Sequence, residues 1–188
     1  MRNFQQLLQD QMSYLNGKHL MYRSLYQKYF ETLLKTDEVI VIQGQRRVGK
    51  SSFVISYLKE NHIDLKKVFY LNKELDIEEM VRDSGDLQEC FNTFRNLYGK
   101  PDYLIIDEIQ MIKNRELFIN GQRAKGGTRI IITGSNSKLL SGELATNLTG
   151  RHLTIQIFPL SYEEFLQFNQ KEQSDETFLE YLEFGGMP

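Results

Sequence analysis

A β-branched run, Val39-Ile40-Val41-Ile42, leads almost directly into Gly44-Gln45-Arg46-Arg47-Val48-Gly49-Lys50-Ser51. A helical pattern follows, in which Phe53, Val54, Tyr57 and Leu58 recur on one face. No other stretch restricts the fold so tightly. The run reads as a buried strand. The octet fits G-x-x-x-x-G-K-[ST]. Glycines let the backbone curl so that successive N–H groups point inward and cradle phosphate oxygens. The helix that follows adds its positive end. Lys50 can reach the β- and γ-phosphates, and the Ser51 hydroxyl can ligand Mg²⁺. Gly44, Gln45, Arg46, Arg47, Val48, Gly49, Lys50, Ser51 and Ser52 are therefore expected around a nucleotide's phosphates. The competing reading is a glycine turn with a surface lysine; the flanking strand and helix decide against it. Arg46 and Arg47 touch the nucleotide or pair with nearby carboxylates, and the sequence leaves both open.

Further strand patterns follow at α/β spacing, giving 39–43, 68–71, 103–106, 129–133 and 153–158 in all. Helical patterns separate them at 51–60, 87–98, about 115–122 and 136–148. Leu104-Ile105-Ile106 and Ile130-Ile131-Ile132 are continuously apolar, as strands covered on both faces are. The alternation predicts a doubly wound parallel five-stranded α/β sheet. Ligands bind such sheets at the carboxyl ends of the strands, where the glycine loop sits. Two helices precede the sheet. Residues 3–15 carry Phe4, Leu7, Leu8, Met12 and Leu15 on one face. A second helix is expected from Ser24, with Gln27 completing a capping box and Leu25, Tyr26, Tyr29, Phe30, Leu33 and Leu34 forming its apolar stripe. Beyond Pro159, Ser161 and Glu164 make another capping box, and a last helix, about 176–184, stops at Gly185-Gly186. The expected division is an N-terminal helical segment 1–36, a core 37–160 and a helical segment 161–188.

Tyr103-Leu104-Ile105-Ile106-Asp107-Glu108 carries two carboxylates at the end of a strand. Asp107 suits Mg²⁺, which takes oxygen ligands and keeps waters. Glu108 can polarise an attacking water. A solvated acidic pair is the alternative; the glycine loop tips the balance. The strand Ile130–Thr133 runs into Gly134-Ser135-Asn136-Ser137, where short polar groups hold a water, sense a γ-phosphate or simply cap a helix. Arg151 either stabilises transition-state charge across a subunit interface or forms a surface ion pair. A net charge of −2 gives no broad basic field for nucleic acid or anionic lipid. Arg123, Lys125 and Arg129, with Lys66-Lys67, read as solvated loops. Cys90 is the single cysteine, which fits a reducing cytosol. No apolar run approaches membrane-spanning length.

Five blocks in order, Gly44–Ser51, Leu104–Gln110 (LIIDEIQ), Ile131–Ser137 (IITGSNS), Leu148–His152 (LTGRH) and Phe158–Phe165 (FPLSYEEF), resemble the AAA+-type P-loop ATPases of bacteria and archaea. Within these, the chain is similar to the group whose members usually carry a C-terminal nuclease-like domain of unknown function. The resemblance covers about residues 20–188. It implies that Lys50 and Ser51 bind ATP and Mg²⁺, that Asp107 and Glu108 form the second acidic motif, that Ser135 or Asn136 is the polar sensor and that Arg151 is the arginine finger. It further implies a cytoplasmic ATP phosphohydrolase, a homo-oligomer, and a DNA or protein partner reached through the C-terminal domain. Such proteins usually have a tryptophan near Asn114-Arg115-Glu116, and this chain has none. Gly185-Gly186-Met187-Pro188 reads as the approach to a further domain, so the chain reads as an ATPase core from a longer protein or as a shortened member. An ATP-binding switch with negligible turnover is the alternative function, and a small-molecule kinase a third. Met21-Tyr22-Arg23 is the stretch nearest to a candidate base pocket.

Overall fold

The apolar runs become neighbours in one five-stranded, all-parallel sheet. The computed structural model describes residues 2–18, 20, 22–135 and 151–187. The strands are β1 (Val39–Gly44), β2 (Val68–Asn72), β3 (Tyr103–Asp107), β4 (Arg129–Ser135) and β5 (His152–Gln156), in the order β2-β3-β4-β1-β5. β1 lies inside the sheet with Ile42 opposite Thr133 on β4 and Ile155 on β5. Its six residues are all buried, which is why its sequence does not alternate.

Successive residues serve opposite faces. Val39, Val41, Leu104, Ile106, Ile130 and Ile132 pack with Leu87, Phe91 and Phe94 of α4 (Ser84–Tyr98) and with Phe118 and Ile119 of α5 (Arg115–Lys125). Ile40, Ile42, Ile105, Ile131 and Ile155 pack with Phe53, Val54 and Leu58 of α3 (Lys50–Glu60) and with Phe30 and Leu33 of α2 (Gln27–Leu33). The doubly wound α/β arrangement is thus as the sequence predicts. Helix α1 (Phe4–Gly17) packs along the edge strand β2 and α4. There the buried Gln11 amide donates to the Asn72 carbonyl at 3.2 Å and accepts the Asn72 N–H at 2.9 Å. A side chain thus satisfies backbone groups of an edge strand that would otherwise invite pairing. Two further helices follow β5: α6 (Tyr162–Asn169), with the expected Ser161–Glu164 capping box, and α7 (Asp175–Phe184).

Several boundaries differ from the sequence expectation. α4 starts at Ser84, because Asp83 caps it by accepting the N–H groups of Gly85 and Asp86. β5 ends at Gln156, although the Ile157 N–H still reaches the Gln43 carbonyl at 2.7 Å. The Ser24–Gln27 capping box does not form. Ser24–Tyr26 is a 3₁₀ turn in which the Gln27 N–H is already taken by the Ser24 carbonyl, and the Gln27 side chain donates to Glu31 instead. Only Phe30, Leu33 and Leu34 of the expected stripe are buried; Leu25 and Tyr29 stay exposed. The helix expected over 136–148 lies outside the described residues. Among the described residues, no helix is long and apolar enough to cross a membrane.

Cys90 sits in the α4 core with no exposed surface. Burial, and to a lesser degree the Asp76 charge, push its thiol up to about 12. The native protein should resist alkylation by iodoacetamide at pH 8, and labelling over a urea series should track unfolding measured by circular dichroism. Rapid labelling without denaturant would contradict this packing.

Candidate functional site

The glycine loop joins β1 to α3 and is shaped by close contact as well as by backbone freedom. A Cβ on Gly44 would lie 2.5 Å from the Ile157 carbonyl oxygen and 2.8 Å from Val48 Cγ1, so no side chain fits there. Gly49 takes φ 90°, the left-handed region that glycine enters freely. Arg47 also has positive φ, 66°, a conformation that costs a non-glycine residue about 1 kcal/mol or more. Val48 anchors the loop in the core. Lys50 is buried, and its ammonium donates to the carbonyls of Gly44 at 3.2 Å and Gln45 at 2.9 Å. Arg46 is exposed and pairs with Glu74 at 3.3 Å, and it also borders the cleft over the loop. A cleft of about 480 Å³ opens over the loop, lined by Arg46, Arg47, Gly49, Lys50, Ser51 and Ser52 on one side and by Glu108 on another. Leu20, Leu160 and Phe168 give it an apolar part. Its size and mixed lining suit a small ligand.

Asp107 closes β3 with 1 % of its surface exposed. It receives a hydrogen bond from the hydroxyl of Thr133, on β4, and the Ser51 hydroxyl, at the start of α3, lies near enough to favour its charged form. Tyr70, on β2, donates to its other oxygen at 3.4 Å. Burial pushes the Asp107 carboxyl above its ordinary range, while the Ser51 and Thr133 hydroxyls and the charge of Lys50 oppose that. Asp107 and these hydroxyls are all oxygen donors, which fits a hard divalent cation such as Mg²⁺. Glu108 follows in left-handed backbone, φ 56°. Its N–H donates to Thr133 Oγ1 at 3.3 Å, and its carboxylate accepts from the Gln110 amide. The other polar atom of that amide, Oε1, is buried without a partner.

Thr133 and Gln110 are the site residues that sequence reasoning passed over. Gln110 lies two residues beyond Glu108 and was visible only as part of a block. Thr133 looks like the end of an apolar strand; its role emerges only when the sheet order puts β4 beside β3.

Arg23 lines the cleft, and all five of its donors are taken within the protein. Nε and one terminal nitrogen fork onto Glu164 at 2.8 and 2.7 Å. The remaining bonds reach the carbonyls of Val48 at 3.3 Å, Phe158 at 2.9 Å and Pro159 at 3.4 Å. One buried guanidinium therefore ties the glycine loop to the segment after β5 and to α6. Arg151 is exposed at the opposite end of the sheet: its carbonyl accepts the Val39 N–H at the amino end of β1, whereas the glycine loop follows the carboxyl end. The structure therefore brings together the loop, Lys50, Ser51, Asp107 and Glu108, and keeps Arg151 apart. Asn136 and Met21 lie outside the described residues.

The family model described as "AAA domain" matches residues 36–166. An uncharacterized protein of Haemophilus influenzae is 36% identical over 179 residues, covering 92% of this chain and 45% of its own length. The chain thus spans less than half of that relative. Among solved structures, AMPPCP-bound DnaA from Aquifex aeolicus is similar with a TM-score of 0.58 at 20% identity, over 87% of this chain and 56% of that one. The S. cerevisiae Hsp104–ADP complex gives a TM-score of 0.57 at 13% identity, over 85% of this chain and 25% of that one. At these identities the two structures speak for the fold.

Burial alone would raise the Glu164 carboxyl, but the Arg23 fork and Ser161 override it and hold the group below its ordinary range. A depressed acid contributes stability above its unfolded-state value, near 4.5, and loses that contribution as pH falls through the lower folded value. Glu164→Gln should lower stability at pH 7 by about 3–5 kcal/mol, because it leaves a buried guanidinium without its counter-charge. The gap to wild type should shrink as pH drops below about 4.5. Urea melts of both proteins at pH 7 and pH 3 check this; a pH-independent gap would contradict it.

Proposed function

The chain belongs to the AAA domain family, and we propose that its cleft binds ATP with Mg²⁺ and hydrolyses it, coupling turnover to a conformational change in a partner or attached domain. The observation that carries this reading is the meeting of the glycine loop after β1 with the two acids at the end of β3: Glu108 lines the loop's cleft, and the buried Asp107 is near enough to Ser51 and Lys50 for both to favour its charged form. The nucleotides named for the similar structures, AMPPCP and ADP, support the choice of ligand.

The loop's N–H groups and the amino end of α3 would hold the phosphates. Lys50 would exchange its two carbonyl partners for phosphate oxygens, a charge-assisted gain. Ser51 and Asp107 would hold Mg²⁺, which would supply neutralisation of phosphate charge. Glu108 would orient the attacking water and accept its proton. Most of the rate would come from positioning and electrostatics. The partner would be DNA or protein, reached through a further domain.

A second reading, an ATP-binding switch with negligible turnover, has its own supporting observation. Glu108 is held by Gln110, and Arg151 lies at the far end of the sheet from the chain's own glycine loop. Arg151 would then reach only the γ-phosphate of a neighbouring copy.

Lys50→Ala should abolish ATP binding measured by calorimetry; unchanged affinity would remove Lys50 from the site. Glu108→Gln should retain ATP and lose turnover, because the amide keeps the shape without the base. Asp107→Asn should weaken binding only when Mg²⁺ is present. Normal hydrolysis by both acid variants would reduce the pair to a strand end.

Specific activity should be low in dilute protein and rise with concentration, because an arginine finger contributes a rate factor of about 10³ to 10⁵. Arg151→Ala should leave ATP affinity within threefold and flatten that rise. Robust hydrolysis by a monomer, insensitive to Arg151, would overturn the finger assignment.

A further inference from the structure

Thr133 has no exposed surface, and its hydroxyl is bonded on both sides. A hydroxyl has one proton to give and lone pairs to receive. Here the proton goes to Asp107 Oδ1, and the oxygen accepts the N–H of Glu108. The direction of the chain is fixed, because a backbone N–H only donates. Two consecutive acids with different tasks are thus joined through one side chain from a neighbouring strand. The parallel pairing of β3 with β4, Ile106 opposite Ile132, brings Thr133 alongside the end of β3. Its other neighbour is Ile42, in the strand that leads into the glycine loop. A β-branched side chain in a fully packed strand has little rotamer freedom, so the hydroxyl is held where it is.

Two consequences follow. Asp107 accepts from Thr133 on one oxygen and from Tyr70 on the other, and this orients the carboxylate rather than leaving it to swing. Glu108 sits in a left-handed conformation that a non-glycine residue adopts at a cost, and its N–H bond to Thr133 helps to hold it there. That turn directs the Glu108 side chain into the cleft.

We propose that Thr133 is a positioning residue for the acidic pair, setting the Asp107 carboxylate for the metal and the Glu108 backbone for water activation through one hydroxyl. This deepens the reading of the site as an ATPase and rests on it. With no exposed surface and its hydroxyl bonded to both acids, Thr133 acts through them. Partners of this kind, one bond removed from a metal site, typically alter metal affinity or activity by about 10- to 100-fold when changed.

The test compares wild type, Thr133→Val and Thr133→Ser. Valine keeps the branched shape and removes the hydroxyl; serine keeps the hydroxyl. Thr133→Ala removes the hydroxyl with less bulk and serves in place of valine if valine does not pack. The readouts are calorimetric affinity for a non-hydrolysable ATP analogue without Mg²⁺, the Mg²⁺ concentration that gives half of the metal-dependent gain, and steady-state kcat and KM. Thr133→Val should bind the analogue without Mg²⁺ within threefold of wild type. It should need about tenfold more Mg²⁺, and lose about 10- to 100-fold in kcat with KM within threefold. Thr133→Ser should stay within threefold throughout. Wild-type kcat and Mg²⁺ dependence in Thr133→Val would overturn the inference alone, as would equal losses in the valine and serine variants. A wild type that binds no nucleotide would overturn the ATPase reading and the inference with it.

Discussion

A carboxylate taken out of water must be met by donors, and the site depends on how Asp107 is met. With 1 % of its surface exposed, it is served by hydroxyls from two neighbouring strands, Tyr70 on β2 and Thr133 on β4. Those donors can converge only because the strands are parallel and in one register, which gathers their carboxyl ends along one edge. The apolar faces of the sheet fix that register. A one-residue slip of β4 would turn Thr133 toward α4 and α5 and put an isoleucine beside Asp107. Core packing and site chemistry are therefore the same constraint seen from two sides.

The glycine loop is held from below and behind. Gly44 lies against the Ile157 carbonyl with no room for a side chain, and Val48 plugs the core. Arg23 then binds the Val48 carbonyl while forking onto Glu164 of α6. A change in the loop's shape is thereby felt at the segment after β5 and at the helix beyond it. The buried Lys73–Asp76 pair does comparable work on the next loop, where Lys73 also donates to the Val81 carbonyl. The adjoining Glu74 pairs with Arg46 of the glycine loop. Buried ion pairs add little net stability over apolar packing, but they hold backbone segments in fixed relation.

Much of the fold was legible because its signals are local. Glycines, lysine and serine at fixed spacing announced the loop, and continuous β-branched runs announced the inner strands of a parallel sheet. Asp107 and Glu108 were legible as a pair following an apolar run. What stayed hidden depends on contacts between segments far apart in sequence. Arg23 and Glu164 are 141 positions apart, and nothing in either neighbourhood names the other. Thr133 reads as one more β-branched strand residue until the sheet order is known. The failed cap at Ser24 has a different cause: a 3₁₀ turn satisfied the Gln27 N–H first, a choice that composition does not reveal. Arg46 was undecided in sequence because its partner, Glu74, comes from the loop after β2.

The central claim is that ATP and a divalent ion are held between the glycine loop and the acids of β3. Crystals grown with a non-hydrolysable ATP analogue and Mn²⁺ in place of Mg²⁺ test it directly, through the anomalous signal of the metal. The account predicts one strong peak beside the Ser51 hydroxyl and the Asp107 carboxylate, with the triphosphate along Gly44–Ser52 and Glu108 facing its terminal phosphate. Nucleotide bound elsewhere, or a metal peak away from Ser51 and Asp107, would contradict it.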